Sequence, residues 1–191
     1  MAIDMSTEPL ILSNRRWTVD DFDELPHGDG SRYEIIDGVL VVTGSPVMRH
    51  QRAVSRLLVL LAAVCPPEYE VFVAPFAVVL APDTVLQPDV LVARVADLIE
   101  TELPAPPLLA VEVLSPGTRK IDLNLKPGRY ARGGTPSYWV VDPGKDPAHA
   151  SLTAFELVDG AYQQVAEVVG EEPFTATAPY PVTVVPAQLV R

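Results

Sequence analysis

Asp89 and Glu112 are the two residues of this 191-residue chain whose surroundings most demand a chemical explanation. Val90, Leu91 and Val92 follow the first; Ala110, Val111 and Val113 flank the second. Such runs read as buried β-strands. A carboxylate in a buried strand is costly unless it is paired, hydrogen-bonded or bound to a cation. Two carboxylates on adjacent strands also raise each other's pKa values. A divalent cation would relieve both difficulties, because hard oxygen ligands are what Mg²⁺ prefers. The competing expectation is that one or both acids stand at strand ends and face solvent.

A third charged position adds to the pair. Asp122, Lys126 and Tyr130 are spaced by four, which puts them on one helix face. An ammonium group there could orient an attacking water and offset charge developing on a phosphorane; the ordinary alternative is a solvated helical face. Pro127 complicates the helix, since it disfavours helical geometry at Lys126 and removes a backbone donor. A kink or a helix start near Pro127 is expected, with Lys126 shifted relative to the carboxylates. His50, four residues before Val54, falls on an inward helix face, where it could bond a phosphate or a carboxylate or be a satisfied core histidine. Tyr130, Tyr138 and Trp139 read as core rather than as base-stacking platforms. His27 and His149 lie in expected loops and support no motif. No glycine-rich phosphate loop and no Ser-His-Asp order stands out.

The elements that must position these residues are legible in outline. Thr18 with Asp21 three residues on marks the cap of a short helix that Pro26 ends, and His27 to Ser31 reads as a loop. Arg32 to Ile36 and Val39 to Thr43 form a hairpin around Asp37-Gly38. Ser45-Pro46 predicts the start of a helix running to about Val64, with Val54, Leu57, Leu58, Leu61 and Val64 inward and Arg49, Arg52 and Arg56 opposite. Glu70 to Ala74 and Phe76 to Leu80 read as strands broken at Pro75. Val85 to Ala93 is a strand interrupted in polarity by Gln87-Pro88-Asp89. A helical turn within Val95 to Thr101, the strand Leu108 to Leu114, a helix over Arg119 to Arg132 and the buried strand Ser137 to Val141 follow. A second hairpin, Leu152 to Val158 and Ala161 to Val168, turns at Asp159-Gly160. The order predicts an α/β fold with a mixed central sheet flanked by helices. Residues 1–14 read as an arm, and 15–191 as one domain.

Composition limits the function classes. With 48% hydrophobic residues the chain can bury a sizeable core. Its single cysteine, Cys65, excludes an internal disulfide and a thiol-based zinc cluster. The longest apolar stretch, Leu57 to Cys65, is too short for a bilayer, and the N-terminus has no signal-peptide pattern, so a soluble cytoplasmic protein is expected without a membrane partner. A net charge of −11 argues against nonspecific grip on nucleic acid over a broad surface. Local charge differs. No acid occurs from Gly38 through Pro67, and from Val113 through Val141 the only acid is Asp122, against Arg119, Lys120, Lys126, Arg129 and Arg132.

An ordered series of short motifs completes the reading. Gln87-Pro88-Asp89-Val90 followed by Val111-Glu112-Val113-Leu114-Ser115-Pro116 resembles the Uma-type restriction endonucleases, a large bacterial family within the PD-(D/E)XK nuclease superfamily. Tyr33-Glu34-Ile35-Ile36-Asp37-Gly38, Arg49-His50-Gln51, the row Asp122, Lys126 and Tyr130, and Ser137 through Asp142 extend the likeness over Trp17 to Asp142. The resemblance implies a restriction-endonuclease-like core in which Asp89 and Glu112 bind Mg²⁺ or Mn²⁺. It implies that Glu34 is an additional acid near the metal and that Lys126 is the superfamily's lysine, moved from the usual place two residues after the glutamate, here Leu114. A metal-dependent DNA endonuclease, homodimeric for two-strand cleavage, is the function implied. Arg119, Lys120 and Arg129, with His50, are the candidates for phosphate contacts. A catalytically inactive nuclease-fold module that binds nucleic acid or protein is the alternative, and a mixed α/β domain with merely structural acids is a third.

Overall fold

The computed structural model describes residues 8–26 and 30–191; residues 1–7 of the expected arm, and His27, Gly28 and Asp29 of the expected loop, lie outside them. In chain order the elements are β1 (Leu10–Leu12), α1 (Val19–Phe22), β2 (Arg32–Ile36), β3 (Val39–Thr43), α2 (Met48–Ala63), β4 (Tyr69–Val73), β5 (Ala77–Ala81), β6 (Thr84–Leu86), β7 (Val90–Arg94), β8 (Glu102–Leu103) and β9 (Leu109–Val113). Then come α3 (Arg119–Asn124), α4 (Lys126–Gly133), β10 (Ser137–Asp142), β11 (Ser151–Val158), β12 (Ala161–Val169), β13 (Phe174–Ala176), β14 (Val182–Val184) and α5 (Pro186–Val190).

Both expected hairpins form. Asp37 and Gly38 take φ of 52° and 80°, and Asp159 and Gly160 take 50° and 81°. Those paired positive values are what a two-residue primed turn needs. The α/β class with mixed sheets and flanking helices is as expected, but the strands divide between two sheets rather than one. The first is six-stranded in the order β1-β3-β2-β6-β5-β8, and the second is six-stranded in the order β12-β11-β10-β9-β7-β4, with β13 and β14 as a separate pair. Among the described residues the chain passes between the large sheets five times, and two of these crossings run from β4 to β5 and from β6 to β7. Pro75 and Pro88 fall at those crossings, where the absent amide hydrogen would otherwise break a ladder.

The two sheets stack with side chains between them. Ile36, Val41 and Leu86 of the first meet Ala110, Tyr138 and Val140 of the second, together with Ile121 of α3 and Tyr130 of α4. On the outer face of the first sheet, Ile35, Leu40 and Val85 pack with Phe22 of α1. On the outer face of the second, Val90, Val111 and Val113 pack against Leu57 and Leu61 of α2 and Leu189 of α5.

Three local features have physical causes, the break near Pro127 being an expected one. Helix α2 begins at Met48 with Val47 extended before it; the Ser45 hydroxyl donates instead to the Gly30 carbonyl at 3.4 Å. The expected helix over Arg119 to Arg132 is interrupted at Leu125, with φ −103° and ψ −55°, and α4 restarts with Pro127 in its first turn, where a missing N–H has no intrahelical partner to lose. Finally, the three arginines of α2 serve the fold: Arg49 donates to the Gly144 carbonyl at 2.5 Å, Arg52 to Val190 at 3.2 Å and Arg56 to Gln188 at 2.7 Å. The last two satisfy carbonyls at the end of α5, which an isolated helix would leave open. Among the described residues no helix is long and apolar enough to cross a membrane.

Candidate functional site

The break before α4 delivers Lys126 into the layer between the sheets. Its Nζ lies 3.0 Å from Glu34 Oε1 of β2, 3.1 Å from Glu112 Oε1 of β9 and 3.1 Å from Asp122 Oδ1 of α3. Glu112, Asp122 and Lys126 are wholly buried, and Glu34 is 1% exposed. Glu34 Oε1 also accepts the Gln87 amide hydrogen at 2.9 Å, and the Tyr130 hydroxyl donates to Glu112 Oε1 at 3.0 Å. Asp122, Lys126 and Tyr130 thus share one side, as their spacing by four predicts, despite the interruption at Leu125.

Asp89 stands at the crossing just before β7. The antiparallel register pairs Val90 with Val111 and Leu91 with Ala110. The ladder ends at Val90, and Asp89, one residue before it, reaches β9 through its side chain. Asp89 Oδ2 accepts the Val113 amide hydrogen at 2.7 Å and lies 3.1 Å from His50 Nε2. Its Oδ1 accepts from Arg32 Nη1 at 2.5 Å. Arg32 is the site residue that sequence reasoning missed. Its signal was available, because in a strand it shares a face with Glu34, two residues on.

Burial and charge pull these carboxyls apart. Burial drives Glu112 well above its ordinary 4.5; Lys126 opposes the rise, while Asp122 and Asp89 reinforce it. Burial likewise raises Asp122 against the pull of Lys126. It would also raise Asp89, but Arg32 and then His50 outweigh it and hold that carboxyl well below the usual carboxylate range. For Lys126 burial acts downward, and the three surrounding acids hold the ammonium above its ordinary 10.5.

Several buried oxygens remain without a hydrogen-bond partner: Glu112 Oε2 and both side-chain oxygens of Asp122, the one near Lys126 being out of line. Counted as ionised, Glu34, Asp89, Glu112 and Asp122 exceed Lys126 and Arg32 by two negative charges. That surplus and those hard oxygens fit a divalent cation. Among the described residues no three His, Cys, Asp or Glu side chains converge as a ready-made ligand shell. A cation there would rest on one or two carboxylates, as Mg²⁺ often does, and the buried Glu112 would have to open to receive it.

A cleft of about 550 Å³ opens onto Asp89, with Arg32 and His50 in its wall. Arg119, Lys120 and Arg129 do not line it. Arg119 donates to Asp142 at 2.6 Å, Lys120 is exposed, and Arg129 bonds to Asp37.

The raised Glu112 carboxyl gives a signed expectation. The folded chain retains a proton there that the unfolded chain has lost, so this contribution to stability is complete below 4.5 and is lost as pH rises toward the raised value. In the absence of divalent ions, the melting temperature should fall from about pH 5 through neutrality, and the Glu112→Gln variant should show a flatter profile. A profile in which wild type and variant run parallel would contradict the assignment.

A model of the Uma2 family, described as putative restriction endonucleases, matches residues 19–185. No curated protein matches the chain. Among solved structures, a putative nuclease belonging to DUF820 from Anabaena variabilis ATCC 29413 is similar, with a TM-score of 0.67 and 19% identity over 91% of this chain and 97% of that one. At that identity the likeness is one of fold.

Proposed function

The chain belongs to the Uma2 family, and from that premise we propose that it is a divalent-metal-dependent endonuclease hydrolysing phosphodiester bonds of DNA, with Asp89 and Glu112 as the metal-holding carboxylates. The observation that carries this reading is the meeting of Glu34, Glu112 and Asp122 on Lys126, with Asp89 tied to the amide of Val113, the residue after Glu112. Mg²⁺ or Mn²⁺, when bound, supplies Lewis-acid stabilisation of charge at a phosphodiester.

The protein groups have separable roles in this reading. Arg32 and His50 keep Asp89 ionised and fix its orientation. The Tyr130 hydroxyl, kept protonated by burial first and by the nearby Glu112 second, fixes one Glu112 oxygen and leaves Oε2 for a cation. Lys126 holds its proton firmly and presents positive charge where a phosphorane would gain negative charge. Glu34, tied to the Gln87 amide, sets the depth at which the ammonium rests.

A catalytically inactive nuclease-fold module is the second reading. The complete burial of Lys126 and Glu112 favours it, since substrate must reach groups that solvent does not touch. Metal titration separates the two. Millimolar Mn²⁺ should raise the melting temperature of the wild type by several degrees and leave Asp89→Ala and Glu112→Ala unmoved, with Mn²⁺-dependent DNA cleavage lost in the same variants. Unchanged melting of the wild type would favour the inactive module, and cleavage surviving in Glu112→Ala would point to a contaminant.

A further inference from the structure

We propose, resting on the nuclease reading above, that the cleft takes an unpaired DNA strand and that intact duplex is a poor ligand. Two independent observations carry this inference: the fate of the basic side chains and the character of the cleft wall.

A duplex hides its base faces and offers a protein mainly phosphates, so gripping it requires cations that are free to meet them. This chain has few to spare. Of its 14 Lys and Arg side chains, all but Lys120 and Lys145 are engaged with a carboxylate or a backbone carbonyl among the described residues. Exposed pairs of this kind are weak and can open. Opening one gains little here: a phosphate that takes Arg119 leaves Asp142 beside it, and one that takes Arg129 or Arg132 leaves Asp37. The attraction gained is cancelled by the repulsion uncovered. A net charge of −11 acts in the same direction over longer range.

The cleft wall carries hydroxyl and amide groups but little net positive charge. Among the described residues, Arg32 and Asp89 are the only fully charged side chains in its wall, and they already face each other. Much of the remainder is apolar or small: Pro46, Val47, Val54, Pro75 and Pro116. An unstacked base presents apolar faces that such a wall can cover, with the Arg32 guanidinium as the planar group in place of the aromatic platforms other single-strand sites use. A volume of about 550 Å³ is within the range that encloses a small ligand. A strand with an unpaired nucleotide supplies a base for the wall and one phosphate for the neighbourhood of Asp89. One site per chain then suffices, without the paired copies that cutting both strands of a duplex would require.

Gly44 offers a clean probe. It lines the cleft, and a Cβ built on it meets nothing within 4 Å, so Gly44→Phe adds bulk at the cleft wall with no core atom in contact with its Cβ. Fluorescence anisotropy with a labelled single-stranded oligonucleotide and its blunt duplex, both in Ca²⁺, reads the proposal directly. The expected result is single-strand binding tighter than duplex by about tenfold or more, the worth of packing one base. The salt dependence should be shallow, a log–log slope near about −1, as for one or two phosphate contacts on a single strand. Gly44→Phe should weaken single-strand binding by about tenfold at an unchanged melting temperature. Duplex binding as tight as single strand, a slope as steep as about −5, no effect of Gly44→Phe or no binding to either DNA would each overturn the proposal. The nuclease reading is judged apart from it: Mn²⁺-dependent cutting of closed duplex plasmid, lost in Glu112→Ala, would keep that reading and sink the strand preference.

Discussion

Replacing Lys126 with methionine is expected to destabilise the folded chain by about 3–5 kcal/mol, the range seen when one partner of a buried ion pair is removed. An exposed lysine would cost almost nothing. This one has no solvent exposure and, among the described residues, is the only cation within 3.1 Å of Glu34, Glu112 and Asp122. Methionine fills much of the same volume, so the loss measures charge rather than a cavity. Urea denaturation of wild type and Lys126→Met at neutral pH gives the difference directly. Adding Glu112→Gln to the variant should recover part of the loss, because one of the stranded carboxylates is then neutral. A loss below about 1 kcal/mol would mean that the acids simply hold protons in place of the ammonium.

The second large effect is expected at Arg32. Arg32→Met leaves Asp89 buried with His50 and the Val113 amide but without its nearest cation, and should cost about 3 kcal/mol at neutral pH, the low end for a buried pair because the arginine is 16% exposed. Its pH dependence has the opposite sign to that of Glu112. The folded Asp89 carboxyl is held below its ordinary 3.8, by Arg32 against the effect of burial. The stability it contributes is therefore present above 3.8 and is lost as pH falls through the lowered value. The gap between wild type and Arg32→Met should be widest near neutrality and should close in acid. A gap that stays constant down to about pH 3 would mean that Arg32 acts through packing and not through the Asp89 charge.

How much of this was legible beforehand varies residue by residue. Asp37-Gly38 and Asp159-Gly160 announce their turns because both central positions need a conformation few side chains tolerate. Asp89 and Glu112 are conspicuous because a lone acid in an apolar strand is expensive. The row of Asp122, Lys126 and Tyr130 is readable as spacing, but its burial is not: Pro127 suggests displacement, and only the restart of α4 at Lys126 explains why the ammonium still reaches the acids. The division into two sheets was also hidden. Pro75 and Pro88 mark interruptions, but which partner a strand finds after an interruption depends on contacts far along the chain. The short segments β13, β14 and α5 carry too few residues for a period to emerge. Arg49, Arg52 and Arg56 look like a basic face, and they bond distant carbonyls because the loop at Gly144 lies beside the first and the end of α5 beside the other two.

The passage of the chain from one sheet to the other at Pro88 has a mechanical corollary. Glu34 is carried by one slab and Glu112 by the other, and the same ammonium pins both. Sliding one slab past its neighbour would shear that rivet before it disturbed either hydrogen-bonded ladder. Glu34, Glu112 and Lys126 are thus the fastener between the two halves of the fold, and loosening them would weaken the joint itself.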